Sequence, residues 1–206
     1  MATISSAVTK DHRELEAYYN EVINNPNDHD HQQRYGNMFV WELARHSVGE
    51  ELVVYPALEN YLGAKGVEMA KSDRDEHHTT KEMLKEFQQL SASDSRYVPQ
   101  LKKIWTPLSA HIKQEEERDL PALEQRLESS AGESESMAKS FGRTKMFVPT
   151  RSHPSAGEKP PFETVMGLLT APFDHLADLF RKFPDEKPSV SEESHAKDIP
   201  AAGDKK

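Results

Sequence analysis

Through the first 128 residues, apolar positions recur in steps of three and four, the period of one face of an α-helix. The pattern predicts four long helices. The first spans about Ser5 to Asn24, has Ser or Thr available to cap it, and stops at Asn24-Asn25-Pro26-Asn27-Asp28. The second spans about Asp30 to Tyr61 and ends at Gly63; the third, about Val67 to Leu90, is closed by Ser91-Ala92-Ser93-Asp94; the fourth runs from about Ser95 to Leu127. Pro56, Pro107 and Pro121 fall inside these patterns and are expected to kink or interrupt them. No sustained alternation or Asn-Gly or Asp-Gly turn argues for strands. Short connections between long helices make antiparallel neighbours, so the expected fold is all-α, an up-down-up-down four-helix bundle.

The inward stripes carry unusual residues. Helix 1 presents Val8, His12, Leu15, Tyr19 and Val22; helix 2 presents Phe39, Leu43, His46, Glu50, Val53 and Ala57. Helix 3 presents Ala70, Asp73, His77, Thr80, Leu84 and Phe87, and helix 4 presents Ile104, Leu108, His111, Glu115 and Ala122. A shift of 65 residues lays His46 to Glu59 on His111 to Glu124 with seven of fourteen positions identical, and carries Asp11-His12 onto Glu76-His77. Two helical hairpins related by a pseudo-two-fold axis would bring these equivalent positions together.

Burying one unpartnered polar group costs roughly 2–7 kcal/mol, and an isolated carboxylate far more. Set against a net stability of about 5–15 kcal/mol, four imidazoles and two carboxylates in a core require compensation. His and Glu four apart lie one turn apart on one face and can reach a common point. Two such pairs plus two further His describe a dinuclear carboxylate–histidine site in a bundle. The nitrogen and oxygen donors suit Fe, Mn or Zn, and two shared carboxylates leave room for an oxo or hydroxo bridge.

Composition narrows the rest. There is no cysteine among the 206 residues, which removes disulfides and thiolate sites. With 26 basic against 35 acidic residues and a net charge of −9, a nucleic-acid partner is not expected. No run nears the roughly 20 apolar residues of a membrane span, and the start MATISSAVTKDHRELE lacks a secretory pattern, so a cytoplasmic location is expected. After residue 128 the chain turns Ser-, Gly- and Pro-rich. The expected organisation is a bundle over 1–128, a flexible linker over 129–160, a short amphipathic helix over 161–184 and a disordered tail over 185–206.

The chain resembles the hemerythrin-like (HHE cation-binding) family, whose motif is His, His-x-x-x-Glu, His and His-x-x-x-Glu on successive helices. The match includes Asp11-His12-Arg13-Glu14-Leu15, Glu50-Glu51-Leu52, Tyr55-Pro56-Ala57-Leu58-Glu59 and Glu76-His77, and covers about residues 1–128. The resemblance implies that His12 and His46 bind one iron, His77 and His111 a second, and Glu50 and Glu115 bridge them. It implies two Fe ions, oxo- or hydroxo-bridged, and oxygen, peroxide or a related diatomic as partner, in an oxidoreductase or, alternatively, an iron- or oxygen-responsive sensor or binding module without turnover. Oxygen-carrying hemerythrins have a fifth His four before the helix-3 His; here that position is Asp73, which argues against reversible oxygen carriage. Long carboxy-terminal extensions resemble those of fungal members.

Other residues carry less. His29 and His31 sit at a turn, His153 and His195 in low-complexity segments, and Trp41 and Trp105 are expected to pack. Glu116 and Glu117 are expected on a solvated face. In the segment 162–183, Phe173, Leu176, Ala177, Phe180 and Phe183 share one face, expected to dock on the bundle or else to meet a protein partner.

Overall fold

The computed structural model describes residues 2–154 and 162–188, without the side chains of 162–169. The helices are α1 (Ile4–Asn24), α2 (His29–Gly49), α3 (Tyr55–Phe87), α4 (Tyr97–Gln114), α5 (Leu120–Leu127), α6 (Glu133–Phe147) and α7 (Phe162–Asp178). Thr3 caps α1, its hydroxyl accepting from the Ser6 N–H at 3.2 Å, and Asp28 caps α2 by accepting from the His31 N–H at 2.9 Å. Gly63 takes a positive φ of 59°, which turns the chain between the second and third arms of the bundle inside α3. At the same corner a Cβ on Gly66 would lie 1.9 Å from the Leu58 carbonyl oxygen, so only glycine lets the chain pass. The bundle therefore has four arms: α1; α2 continuing to Gly63; the remainder of α3; and α4 continuing through α5.

Two short wide turns, Glu50–Val54 and Glu115–Asp119, join α2 to α3 and α4 to α5 without ending either arm. In each the hydrogen bonds widen: the Tyr55 N–H donates to the Glu50 carbonyl, and the Leu120 N–H to the Glu115 carbonyl, five residues back. Pro56 and Pro121 follow, each with one residue between it and the end of its turn. Proline has no N–H and crowds the carbonyl four residues earlier, and a turn with one extra residue accommodates that conflict. The third proline, Pro107, lies within a continuous α4. The extra residue also rotates the helix beyond it. Val54 and Tyr55 are buried where the regular stripe pointed to Val53, and Leu120 and Leu123 where it pointed to Ala122.

The apolar core is split. One cluster gathers Leu15, Phe39, Leu43, Leu84, Phe87, Leu101 and Ile104; Trp41 and Trp105 pack against it. The other gathers Val8, Val54, Tyr55, Leu58, Ala70, Leu120, Leu123 and Phe141. On every arm the His and Glu of interest lie between the residues of one cluster and those of the other, as a polar layer across the bundle.

The expected linker contains a helix. Ser134, Met137, Phe141 and Lys145 form a buried stripe on α6, which packs on α1 and α2. Only two of those four are apolar, so the stripe does not stand out in a Ser- and Gly-rich sequence. Ser134 and Lys145 are buried because the bundle supplies their partners: the Ile4 N–H donates to Ser134 Oγ at 2.9 Å, and Lys145 pairs with Asp11 and Glu42. The segment after α7 returns to the bundle, where Arg34 donates to the Phe183 carbonyl and Asn37 to that of Lys182. The expected docking face docks only at its end: Phe183 packs against the apolar core and Ala177 is half-buried, whereas Phe173, Leu176 and Phe180 are exposed. The rest of the expected linker, residues 155–160, lies outside the described residues, as do 189–206 of the expected tail and His195 within it.

Candidate metal centre

Every sequence-predicted donor is in the polar layer, and all are buried: His12, His46, Glu50, His77, His111 and Glu115. His12, His46, Glu50 and Glu115 each bring a ligand atom within 4.8 Å of the others, as do Glu50, His77 and His111. Glu50 belongs to both sets. Its Oε2 lies 3.1 Å from His46 Nε2 and 3.5 Å from His77 Nε2, and its Oε1 is 4.0 Å from His12 Nε2. Glu115 spans in the same way, Oε2 3.4 Å from His12 Nε2 and Oε1 3.5 Å from His111 Nε2. Donors bound about 2.1 Å from one ion lie roughly 3–4 Å apart, so these separations suit ions placed among them. The wide turns contribute directly, because Glu50 and Glu115 are their first residues.

The far side of each imidazole is also held. His12 Nδ1 is 2.8 Å from Glu116 and His77 Nδ1 is 3.0 Å from Glu51. His46 Nδ1 is 3.3 Å from Asp11, and His111 Nδ1 is 2.9 Å from Glu76. All four carboxylates obey the 65-residue shift: Asp11 with Glu76, Glu51 with Glu116. A carboxylate on one ring nitrogen fixes the tautomer that leaves the other free as a ligand. Glu116 is thus not on a solvated face; it accepts from Arg13 at 2.5 Å and faces His12, while Glu117 does project outward. The repeat contained this signal, since Glu51 and Glu116 are identical in it. Lys81 donates to Glu51 at 2.5 Å.

Two polar residues break the symmetry. The Tyr55 hydroxyl donates to Glu115 Oε1 at 3.2 Å and lies 2.9 Å from His77 Nε2, where the repeat has Leu120. Asp73, where the repeat has Val8, is buried and belongs to neither donor set; its Oδ1 accepts from Gln114 Nε2 at 3.5 Å, and Oδ2 has no hydrogen-bond partner. Burial and the Glu115 charge lift the Asp73 carboxyl to about 7. His78 is half exposed beside Glu82, His29 is exposed, His31 pairs with Glu21, and His153 pairs with Asp174.

The titration of the layer is set by burial and by the charges crowded into it. Burial, then the neighbouring Glu115, pushes Glu50 well above the carboxylate range. Burial opposes ionisation of Glu115 as well, but His111 and His12 outweigh it and hold Glu115 below its ordinary value. Burial lowers the His111 affinity for a proton, yet Glu115 and Glu76 prevail and raise it to about 9. His46, buried beside His12 and Lys145, is driven well below its ordinary value. Among the described residues, His12 Nε2, both Glu50 oxygens and Glu115 Oε2 are buried without a hydrogen-bond partner. Orphaned lone pairs at this density fit cations bound between them.

The sequence comparisons agree with this geometry. Residues 3–123 match the hemerythrin HHE cation binding domain. An uncharacterized hemerythrin-like protein of Schizosaccharomyces pombe is 54% identical over 184 residues, 89% of each chain. No solved structure matches the chain. No described helix is long and apolar enough to cross a membrane.

Proposed function

The chain belongs to the hemerythrin HHE cation-binding family, and we propose that it holds two iron ions with which it binds or reduces oxygen, peroxide or a related diatomic. His12 and His46 would hold one ion, His77 and His111 the other, with Glu50 and Glu115 between them. The observation that carries this reading is the pair of donor sets sharing Glu50, with its two oxygens buried and unpartnered. When bound, two ferrous ions supply two electrons together to a small oxidant. The chain's own residues fix the imidazole tautomers through Asp11, Glu51, Glu76 and Glu116, and exclude water with the two apolar clusters. Tyr55 offers a hydroxyl at the His77/His111 end, next to the carboxylate that would bridge.

A sensor reading has one observation in its favour: the six donors come from all four arms, so occupancy of the site bears on the order of the whole bundle. Anaerobic loading with ferrous iron, metal analysis and spectra before and after air test the proposal. The expected result is about two irons per chain and a near-ultraviolet band that shifts on addition of azide. A chain retaining one iron or none would refute it. Turnover of peroxide or oxygen by the loaded protein separates an oxidoreductase from a sensor.

A further inference from the structure

The histidine-supporting carboxylates follow the 65-residue repeat, but the cations that hold them do not. Glu116 is held by Arg13, its neighbour across the layer, and Glu51 by Lys81, one turn beyond His77. Asp11 is held by Lys145, which lies on α6, past the last residue of the family match at 123. Lys145 is itself buried, and its ammonium contacts both Asp11 and Glu42. Arg45 completes the cluster, 3.6 Å from Glu42 and donating through Nε to the Lys145 carbonyl at 2.7 Å. One turn before Lys145, the Phe141 ring meets His46 edge-on with centroids 6.1 Å apart. A Cβ on Gly49 would come within 2.8 Å of the same ring, so the helix of His46 and α6 are in close contact.

We propose that Lys145 is a positioning residue for the candidate metal centre, acting on His46 through Asp11, and that α6 is a working part of that centre. The proposal rests on the metal-binding reading above. Asp11 and Glu42 are two buried carboxylates facing one ammonium, and that ammonium keeps the Asp11 oxygen on His46 Nδ1. Without it the pair would be left beside Arg45 alone, and like-charge repulsion would move Asp11 off the imidazole. Loss of an outer-shell partner of this kind weakens metal binding about 10–100-fold. The effect belongs to the His12/His46 half alone, because the other half draws its cation from α3.

The test is ferrous binding to the full-length chain under anaerobic conditions, comparing the wild type with Lys145→Met, Asp11→Asn and the double variant, and with Lys145→Arg as rescue. Lys145→Met is expected to lose about 10–100-fold in affinity for one of the two ions, with the other retained, and Lys145→Arg to recover most of it. The double variant should bind no worse than Asp11→Asn alone, the non-additivity of a residue that acts through another. Circular dichroism of the metal-free variants reads folding separately. Should Lys145→Met fail to fold, the Lys145→Met/Glu42→Gln pair, which removes the surplus carboxylate, is measured in its place with the same expectation. Wild-type affinity in the lysine variant, or losses that simply add, would overturn the proposal. Failure of the wild type to bind iron at all would instead refute the metal reading itself.

Discussion

The two halves of the polar layer start from one sequence pattern and end in different surroundings. Around His12 and His46 the repeat places Val8 and Leu120, so that side is closed by apolar packing and by Phe141 from α6. Around His77 and His111 the equivalent positions are Asp73 and Tyr55, a buried carboxyl and a buried phenol. The candidate donors obey the 65-residue repeat and the walls do not. A symmetric frame of candidate donors with one apolar wall and one hydrogen-bonding wall gives two unequal ends, and only the second has a hydroxyl, that of Tyr55, beside its imidazoles.

The comparison can be broken most severely at its shared member. Glu50→Ala should abolish binding at both ends, whereas His12→Ala and His77→Ala should each remove one ion; metal analysis of the three variants checks this, and equal losses in all three would contradict the two-set geometry. Next in size, Glu116→Gln should weaken the His12/His46 end about 10–100-fold while Glu117→Gln leaves affinity unchanged, as read by chelator competition.

A change of pH sharpens the comparison further. His111, raised to about 9 from an ordinary 6.5, carries a proton that a metal must displace. Affinity at that end should therefore rise about tenfold per pH unit for each displaced proton as pH climbs from 6 to 8. In the metal-free protein the sign reverses. A folded-state pKa above the unfolded one contributes stability fully present below pH 6.5 and lost as pH rises through about 9, which thermal unfolding across that window measures. The smallest effect is expected of Tyr55→Phe. The loss of one hydrogen bond of about 0.5–1.5 kcal/mol should alter azide affinity by a few-fold and leave two irons bound. An azide affinity unmoved by that change would put the exogenous site elsewhere.

The positions of the six candidate donors were legible because helical periodicity and the repeat constrain the same residues: a His on an inward stripe can only face the bundle axis. The prolines hinted at irregularity, but not that an extra residue before Pro56 and Pro121 would start at the very glutamates that share the layer. That substitution of Val54 for Val53 on the core face comes from backbone hydrogen bonding, which a fixed 3.6-residue period does not represent. Glu116 looked solvated because it stands in a run of acids; its partner His12 is 104 residues away. α6 was hidden for a related reason, since half of its buried stripe is Ser134 and Lys145, residues that become core-compatible only when Ile4 and Asp11 meet them.

The amino-acid sequence alone determined the number of bundle arms, most of the inward face of each as far as the wide turns, and the six nitrogen and oxygen donors those faces carry, because local period and a duplicated register are properties of the chain itself. Tertiary structure decided which cation secures which carboxylate, which end of the layer is polar, and that a helix beyond the bundle supports it. Those are contacts between residues far apart in the chain, and a buried charge has no signature until the partner that neutralises it is in place.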